Sequence, residues 1–406
     1  MTDAVTDKDY FERASIALRE AGLHHPVVFI DLDRLDANID VIRQRLAKGP
    51  PIRVVDKSLP SIPLLRHIMT RCQTSRTMSF HLPMTLEVLS AFPDAEVLFG
   101  KPLPVATLSS CLRTASPDVF QDLLRRSIFL IDTFDRLEQY AAFASQSHAP
   151  LRVAFEVDVG MHRGGFDTVQ ALASAVARAE AAPEMIIEGV MAYDAHIPQI
   201  PKFAGGAMEK ARVDARLAGF VNALPSSARQ IINTGGSKTA FGHTPKGRAN
   251  EVSIGSAFVK PMDFDIAPLS QLQAATFIAT PILKVCKMRL PGPPMLTNIM
   301  QMLGLFPRQG CFLYGGKWMA HPVHPAKLKE NRIWGTSSNQ QMMAMPRNCT
   351  AKADDFAFFR PTQSEAVLQS LDGIYVMSEF KIQQRWETVP LSRDCRDECT
   401  ANWLPQ

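Results

Sequence analysis

The sequence predicts an α/β protein in which a (β/α)8 barrel of the TIM type is followed by a mostly antiparallel β domain. From residue 27 to residue 262, short apolar runs alternate with helical patterns roughly eight times, which is the count of such a barrel. After about residue 265 the helical patterns give way to short β-like runs among turns rich in proline and glycine. A length of 406 residues leaves room for two domains, one of them large.

We divide the chain into three segments. Residues 1–26 carry a helical pattern that begins at Asp7 and ends at Gly22, and this helix is expected to pack on the β domain. Residues 27–265 are predicted to form the barrel, and residues 266–406 the β domain.

The barrel is predicted to begin with a strand–helix–strand unit. A buried-strand run at 27–30 precedes an amphipathic helix from Asp33, and a β-branched run follows at 52–55. Such a unit predicts a parallel strand pair with a right-handed crossover, so the run at 27–30 is taken as a barrel strand. Further strands are expected at 76–80, 96–99, 127–131, 152–158, 185–191, 230–233 and 252–254.

Composition excludes several classes of protein. The net charge of +4 is mild and no basic block occurs, so no nucleic-acid partner is expected. No apolar run reaches membrane-spanning length and the N-terminus is polar, so we expect a cytoplasmic protein without a membrane partner. Seven cysteines do not form a disulfide framework, and Cys395 and Cys399 are interpreted as surface thiols.

The strand run at 52–55 leads directly to Lys57, after which Pro60 turns the chain away. A lysine at the C-terminal end of a barrel strand lies where such barrels place their chemistry. In partly desolvated surroundings its amine can act as a nucleophile. The structural alternative is a side chain that only extends into water from the strand end.

Two later strand ends carry polar groups. The strand at 152–158 leads into a glycine-rich turn around Arg163, a permanently charged donor. The next strand ends in Tyr193 and His196, a phenol and an imidazole that can serve in acid–base chemistry. The structural alternatives are a solvated arginine in a tight turn, a packed tyrosine and a histidine satisfied within the fold.

The turns after the last two strands predict an anion nest suited to one phosphate. Small residues with free backbone N–H groups at a strand-to-helix turn bind anions, and the last two loops of a barrel often hold phosphates. The spacing is neither that of a P-loop nor that of a dinucleotide fingerprint. The residues concerned are Thr234, Gly235, Gly236, Ser237, Gly255 and Ser256.

Together these motifs resemble those of the fold-type III pyridoxal-phosphate enzymes, which have an alanine-racemase-like N-terminal barrel. More narrowly, the chain resembles the D-threonine aldolase and D-serine dehydratase-like group. The resemblance implies pyridoxal 5'-phosphate as cofactor, a small amino-acid substrate and a homodimer. The matching stretches occur in the family's order, at 28–39, around Lys57, and at 156–166, 189–196, 234–239 and 251–256.

The resemblance also implies roles for the candidate residues. Lys57 would form the internal Schiff base, Arg163 would face the pyridine nitrogen, and Tyr193 would lie beside the cofactor. His196 would lie near the substrate. The phosphate would be held by the anion nest named above.

The stretch at which this group binds metal departs from the group's pattern. Aldolase and dehydratase relatives bind a divalent metal through a His and a Cys or Asp two residues apart, following a proline. Here the counterpart at 361–365 offers only Gln363 and Glu365, so no metal site is predicted: zinc is not expected, and these two residues are weak candidates for magnesium or manganese at most. The departure weakens the inference to metal-dependent dehydration or aldol cleavage.

The sequence therefore predicts a pyridoxal-phosphate-dependent lyase, aldolase- or dehydratase-like, acting on a D-amino acid or a β-hydroxy amino acid. Lys57, His196 and Tyr193 are its candidate catalytic groups. A pyridoxal-phosphate-dependent amino-acid racemase is one alternative. A non-catalytic pyridoxal-phosphate-binding protein is another, although such relatives lack a C-terminal β domain. A barrel without a cofactor, in which Lys57 is structural, is the third.

Overall fold

The structure, a computed structural model, describes residues 4–201, 203, 205–244 and 246–390, so Cys395 and Cys399 lie outside the described residues. The chain divides into two compact units. The barrel unit comprises the described residues of Ile39–Phe258, Ile266–Gln271 and Val389–Gln406, and the β unit comprises those of Met1–Asn38, Val259–Asp265 and Leu272–Thr388. The domain boundaries drawn from the sequence remain predictions.

The described residues contain seventeen strands and eleven α-helices. The strands are β1 (Val27–Asp31), β2 (Ile52–Val55), β3 (Arg76–Ser79), β4 (Glu96–Phe99), β5 (Ser127–Ile131), β6 (Leu151–Val157), β7 (Met185–Ala192), β8 (Ile231–Thr234), β9 (Glu251–Ile254), β10 (Thr276–Lys287), β11 (Gln309–Tyr314), β12 (Ala320–His324), β13 (Lys329–Glu330), β14 (Gln340–Ala344), β15 (Phe356–Pro361), β16 (Ile374–Ser378) and β17 (Lys381–Trp386). The helices are α1 (Ala4–Glu20), α2 (Leu32–Leu46), α3 (Ile62–Cys72), α4 (Leu82–Ala91), α5 (Val105–Thr114), α6 (Pro117–Arg126), α7 (Phe134–Ser147), α8 (Val169–Glu180), α9 (Gly206–Ala223), α10 (Pro294–Met302) and α11 (Ser364–Leu368).

Strands β2 to β9 form a closed parallel barrel, and the predicted fold class is confirmed. Each strand pairs with the next one along the chain, and β9 pairs in parallel with β2, with Val54 opposite Ile254. An apolar layer fills the barrel, because alternate residues of each strand point inward. Its members are Val55, Met78, Leu98, Ile128, Leu130, Ala154, Met191 and Ile231.

A buried ion pair joins the first and last strands of the barrel. The Arg53 guanidinium is fully buried and donates to both carboxylate oxygens of Glu251, at 2.7 and 2.8 Å. Asn233 donates a further hydrogen bond to Glu251 at 2.7 Å. Because these groups satisfy one another, the interior of the barrel can hold charge without solvent.

The β unit contains a nine-stranded sheet among the described residues, ordered β13-β14-β11-β10-β1-β16-β17, with β15 pairing β10 and β12 pairing β15. Most pairs are antiparallel, as predicted, although β1 and β16 are parallel. The placement of the run at 27–30 in the barrel was wrong, because β1 pairs with β10 and β16 instead of β2. The register places Phe29 of β1 opposite Phe277 of β10, so these two apolar strands are neighbours within this sheet.

Helix α1 packs within the β unit. Its apolar residues Phe11, Ala14 and Leu18 belong to a buried cluster with Phe277 and Phe358. This is the helical face that the sequence pattern indicates. In the part of the chain that is described, no helix is long and apolar enough to cross a membrane.

Candidate active site

Lys57 lies beyond the C-terminal end of β2, at the middle of a short 3-10 turn that spans 56–58. Its neighbours Asp56 and Ser58 are buried, whereas Lys57 is exposed. The turn directs the two flanking side chains inward and leaves Lys57 at the surface, and partial desolvation of its amine stays a prediction. The Lys57 ammonium is 4.7 Å from the ring centroid of Phe80, which follows β3. A cation over an aromatic face is stabilised by the ring quadrupole.

The carboxyl of Asp56, directly before Lys57, is fully buried. Burial raises its pKa to about 7, against the lowering effects of a hydrogen bond with Ser79, the Lys57 backbone and the Lys57 charge. Its Oδ2 atom has no hydrogen-bond partner among the described residues. A carboxyl of this kind titrates near neutrality beside the lysine, and the sequence analysis did not select it.

The turn after β6 carries Arg163, which the sequence analysis selected. Its guanidinium lies 3.4 Å from the Glu156 carboxylate and 4.7 Å from the ring centroid of Tyr193, which follows β7. About half of the Arg163 side chain is exposed, at 53%. The structure therefore brings together two candidates that are thirty residues apart in the sequence.

The two acids of this strand end differ in their environments. Burial raises the pKa of Glu156, although Arg163 lowers it in part. Burial also acts to raise the pKa of Asp158, but hydrogen bonds outweigh it and the pKa is lowered. The donors are the backbone N–H groups of Gly160, at 2.8 Å, and His162, at 3.0 Å, with the His162 ring at 2.7 Å. Asp158 thus holds the turn in shape as a carboxylate.

Tyr193 packs closely on the loop after β8. A Cβ atom at Gly236 would lie 2.9 Å from Tyr193 Cε2, which is too close for an unaltered ring position. Glycine therefore allows the ring to lie against the backbone of this loop. Arg163, Tyr193 and Gly236 form one contiguous arrangement, which we call the aromatic stack.

A buried carboxylate holds the loops after β7 and β8 together. Asp194 has no exposed surface and accepts hydrogen bonds from the Thr239 hydroxyl and from His243 Nε2, the latter at 2.8 Å. The sequence analysis selected neither Asp194 nor His243 as a site residue. No local pattern marks His243, because its partner lies 49 residues earlier.

His196 lies against helix α9. Its Nε2 is 3.3 Å from a Glu209 carboxylate oxygen, and its Nδ1 is buried without a hydrogen-bond partner among the described residues. A carboxylate at Nε2 favours the tautomer that carries the proton there, which leaves a lone pair on Nδ1. Because Nδ1 is buried, that lone pair does not face solvent.

The loops after β8 and β9 converge at the residues of the predicted anion nest. The backbone N–H groups of Gly255 and Ala257 both point at one oxygen, Ser237 Oγ, at 3.1 and 3.0 Å. Ser256 donates to the Ser58 hydroxyl at 3.0 Å, which connects this nest to the turn that bears Lys57. The hydroxyl of Thr234 is buried without a partner among the described residues.

Glycine is required at one point of the nest. A Cβ atom at Gly255 would lie 2.9 Å from the Val55 side chain and 3.0 Å from the Val55 carbonyl oxygen and Ser58 Cβ. The loop after β9 can therefore approach the Lys57 turn only because residue 255 has no side chain. Lys57 and the nest are thereby adjacent on the barrel mouth.

The two candidate metal ligands lie at the start of α11 in the β unit. Gln363 donates to Asp263 at 3.3 Å, and Glu365 accepts from Ser364 at 3.3 Å. Among the described residues no group of three or more His, Cys, Asp or Glu side chains could hold a metal ion. That Gln363 and Glu365 are at most weak metal ligands stays a prediction.

The sequence is similar to one curated enzyme over a limited stretch. It is 26% identical over 139 residues to the 3-hydroxy-D-aspartate aldolase of Paracoccus denitrificans (strain Pd 1222), which covers 33% of this chain and 35% of the relative. The chain thus spans about a third of the length of that relative.

Solved structures match over almost the whole chain. The D-threo-3-hydroxyaspartate dehydratase from Delftia sp. HT23 has a TM-score of 0.70 at 15% identity, covering 89% of this chain and 97% of that one. The D-threonine aldolase from Filomicrobium marinum has a TM-score of 0.68 at 14% identity, covering 90% and 96%. At such identities the similarity shows a shared fold.

A family model for the N-terminal domain of alanine racemase matches residues 30–262. This match covers more than half of the chain and includes every barrel strand. The chain therefore belongs to the alanine racemase N-terminal domain family.

Proposed function

We propose that the barrel mouth binds pyridoxal 5'-phosphate, attached covalently through the Lys57 amine. The observation that carries this proposal is the pair of backbone N–H groups, from Gly255 and Ala257, that converge on one oxygen beside the Lys57 turn. A phosphate oxygen accepts from converging amides in the same way. The hydroxyl of Thr234, which is buried and has no partner among the residues that the structure describes, offers a further donor for the same group.

The remaining candidates would hold the rest of the cofactor. Gly235, Gly236, Ser237 and Ser256 complete the phosphate site, and Arg163 would face the pyridine nitrogen. Arg163 is anchored by Glu156 and by the Tyr193 ring, so its guanidinium is held in place before any ligand arrives. Tyr193 would lie beside the cofactor.

Bound pyridoxal phosphate supplies an electron sink that lowers the barrier to breaking a bond at the α-carbon of an amino acid. The chain supplies the groups that move protons. The Lys57 amine can accept a proton, and His196 is the second acid–base candidate. Glu209 lies 3.3 Å from His196 Nε2 and holds the imidazole in position.

We propose a lyase reaction, aldolase- or dehydratase-like, on a D-amino acid or a β-hydroxy amino acid. Support comes from the relatives, which are a 3-hydroxy-D-aspartate aldolase, a D-threo-3-hydroxyaspartate dehydratase and a D-threonine aldolase. The substrate class is inferred from their names alone. Homodimer formation and a cytoplasmic location stay predictions from the sequence.

A racemase is the second candidate function. It is favoured by the match to the alanine racemase N-terminal domain and by the oxygen-only character of Gln363 and Glu365 at the expected metal position. Racemisation moves a proton at the α-carbon and needs no metal for a β-hydroxyl group.

The cofactor is tested by reduction with borohydride and mapping of the modified peptide. After incubation with pyridoxal phosphate, we expect absorbance in the visible range and a reduced adduct on Lys57. Lys57→Ala should lose the adduct, whereas Lys101→Ala, which alters the exposed lysine after β4, should keep it. Mapping of the adduct to another lysine, or no uptake of the cofactor, would refute the proposal.

The reaction is tested with 3-hydroxy-D-aspartate. Cleavage between the α- and β-carbons yields glycine and glyoxylate, whereas loss of water followed by hydrolysis yields oxaloacetate and ammonia. Either pair of products supports the lyase. Conversion of D-alanine or another D-amino acid into its mirror image, without these products, would establish the racemase instead.

A further inference from the structure

The β unit contains a cationic cavity that the proposed reaction does not use. It encloses about 1110 Å³ between the end of β10, the loop that follows it and helix α10. Four cationic side chains line it, namely Lys287, Arg289, Arg308 and Arg347. No Asp or Glu belongs to the described residues of its wall.

These four cations lack anionic partners within the described residues. None of them forms a side-chain hydrogen bond or an ion pair there, whereas most buried or clustered arginines of this chain do. The sequence shows the same imbalance, since residues 266–329 contain seven Lys and Arg and no Asp or Glu. All four are exposed to solvent, and like charges around one opening without a counter-charge attract an anion from outside.

Helix α10 adds an apolar surface beside the cavity. Thr297 and Gln301, one turn apart, fix its inner side by hydrogen bonds of 2.9 Å to the backbone of Leu290 and Met288. The opposite side carries apolar residues at helical spacing, namely Met295, Ile299, Met302 and Leu303. Met295, Met302 and Leu303 are 72%, 76% and 61% exposed.

This pairing of an outward apolar helix with unpaired cations is unusual for a surface that faces water. An amphipathic helix in a globular protein normally turns its apolar side inward. Here Met300 and Phe306 provide the inner contacts, because they pack with Met288 and Met342. The outer apolar side is not covered by other described residues of the β unit.

We propose that α10 and the cationic cavity together form a docking surface for a membrane that contains anionic phospholipids. The four cations would bind lipid headgroups, and Met295, Met302 and Leu303 would enter the adjoining acyl boundary. Helices that lie in the membrane interface likewise combine cationic residues with an exposed apolar side. The sequence expectation of no membrane partner rested on the absence of a spanning run, which such surface binding does not require.

Two other occupants fit the surface less well. Single-stranded nucleic acid would be bound by aromatic side chains that stack on bases, whereas no exposed residue of α10 is aromatic. A second copy that placed the same surface against itself about a two-fold axis would bring two uncompensated cationic cavities together.

The test is co-sedimentation of the full chain with vesicles of phosphatidylcholine alone or mixed with phosphatidylglycerol. We expect binding to the mixed vesicles, loss of binding in high salt, and no binding to the neutral ones. At about fivefold per cation, R289Q/R308Q should bind about twenty-five-fold more weakly. M295S/M302S should also lose binding.

The matched controls I186S and K381Q alter an exposed apolar residue and an exposed cation elsewhere, and should bind as wild type.

Light scattering and spectroscopy distinguish this proposal from the alternatives. All variants should keep the molar mass, the circular dichroism and the cofactor absorbance of the wild type. A fall in molar mass of M295S/M302S would identify the surface as a subunit interface and overturn the proposal. Equal binding to neutral vesicles, or binding to a short RNA but to no vesicle, would also overturn it. None of these outcomes bears on the pyridoxal-phosphate site.

Discussion

At the residue scale, the buried carboxyl of Asp56 makes the stability of the barrel unit depend on pH. Its pKa rises from 3.8 to about 7 on folding, so the protonated form is favoured in the folded state. Protonated Asp56 makes its full contribution to the free energy of unfolding below about pH 4. This contribution is lost as the pH rises through 7. Asp56→Asn cannot lose a proton here and should not show this loss. Relative to wild type, the free energy of unfolding of the variant should therefore be about 2–3 kcal/mol higher at about pH 8 than at about pH 5.

Urea unfolding at both pH values measures this difference. Asp94→Asn, which neutralises an exposed aspartate in the same unit, serves as the control and should follow the wild type. A gain for Asp56→Asn that is the same at both pH values would show that Asp56 does not titrate as described.

Gly236 is the residue on which the aromatic stack depends. In Gly236→Ala the new Cβ would displace the Tyr193 ring and with it the contact to Arg163. We expect at least tenfold weaker binding of pyridoxal phosphate with a stability loss of about 1–3 kcal/mol, the usual cost of overpacking. Absorbance titration measures the affinity.

Gly219→Ala is the matched control for this substitution. Gly219 lies on helix α9, and a Cβ atom there would make only an ordinary contact, 3.5 Å from the Val169 side chain. It should therefore leave cofactor affinity unchanged and stabilise the helix slightly. Equal affinities of both variants would contradict a role for the aromatic stack.

At the scale of elements, Asp194 determines how the loop after β7 meets the loop after β8. Asp194→Ala leaves the buried His243 ring and Thr239 hydroxyl without their acceptor, which should cost about 2–4 kcal/mol. Because Gly236 and Thr239 lie on the same loop, we also expect weaker cofactor binding. Urea unfolding and absorbance titration of the same samples measure both effects.

The double variant Asp194→Ala/His243→Ala provides the control. If the two groups act as a pair, its stability loss should be smaller than the sum of the two single losses. Strict additivity would argue against the coupling of the two loops.

The barrel strands could be predicted from sequence because each is a short apolar run bounded by turn signals. The strand at 27–31 was misassigned because its pattern is the same as theirs. Which sheet a buried strand joins depends on distant partners, here Phe277 in β10 and Tyr375 in β16, and no local pattern carries that information.

The candidate site shows the same division between local and distant information. Lys57, Arg163 and the glycines of the anion nest were predicted because turns and charges at strand ends are local features. Asp194 and His243 were not predicted as a pair, since their contact exists only once two strands lie side by side. The exposure of Lys57 also depends on the course of its turn, which the run at 52–55 does not reveal.

At the scale of the whole molecule, cofactor binding should be visible as a gain in stability that needs no turnover. A ligand at a hundred times its dissociation constant adds about 2.7 kcal/mol to the folded state. For a unit of this size, that corresponds to a rise in Tm of about 5–10 °C, measured by differential scanning calorimetry or fluorescence. Lys57→Ala, which cannot form the covalent attachment, should show a smaller rise, and Lys101→Ala should match the wild type.

Pyridoxal without its phosphate separates the two halves of the proposed site in the same measurement. It keeps the group that reacts with Lys57 but lacks the group that the Gly255 and Ala257 amides would bind. We therefore expect pyridoxal to raise the Tm much less than pyridoxal phosphate, and inorganic phosphate to compete with the latter. An equal rise with both compounds would mean that the nest contributes nothing to binding, and that the converging amides serve only to hold Ser237 in place.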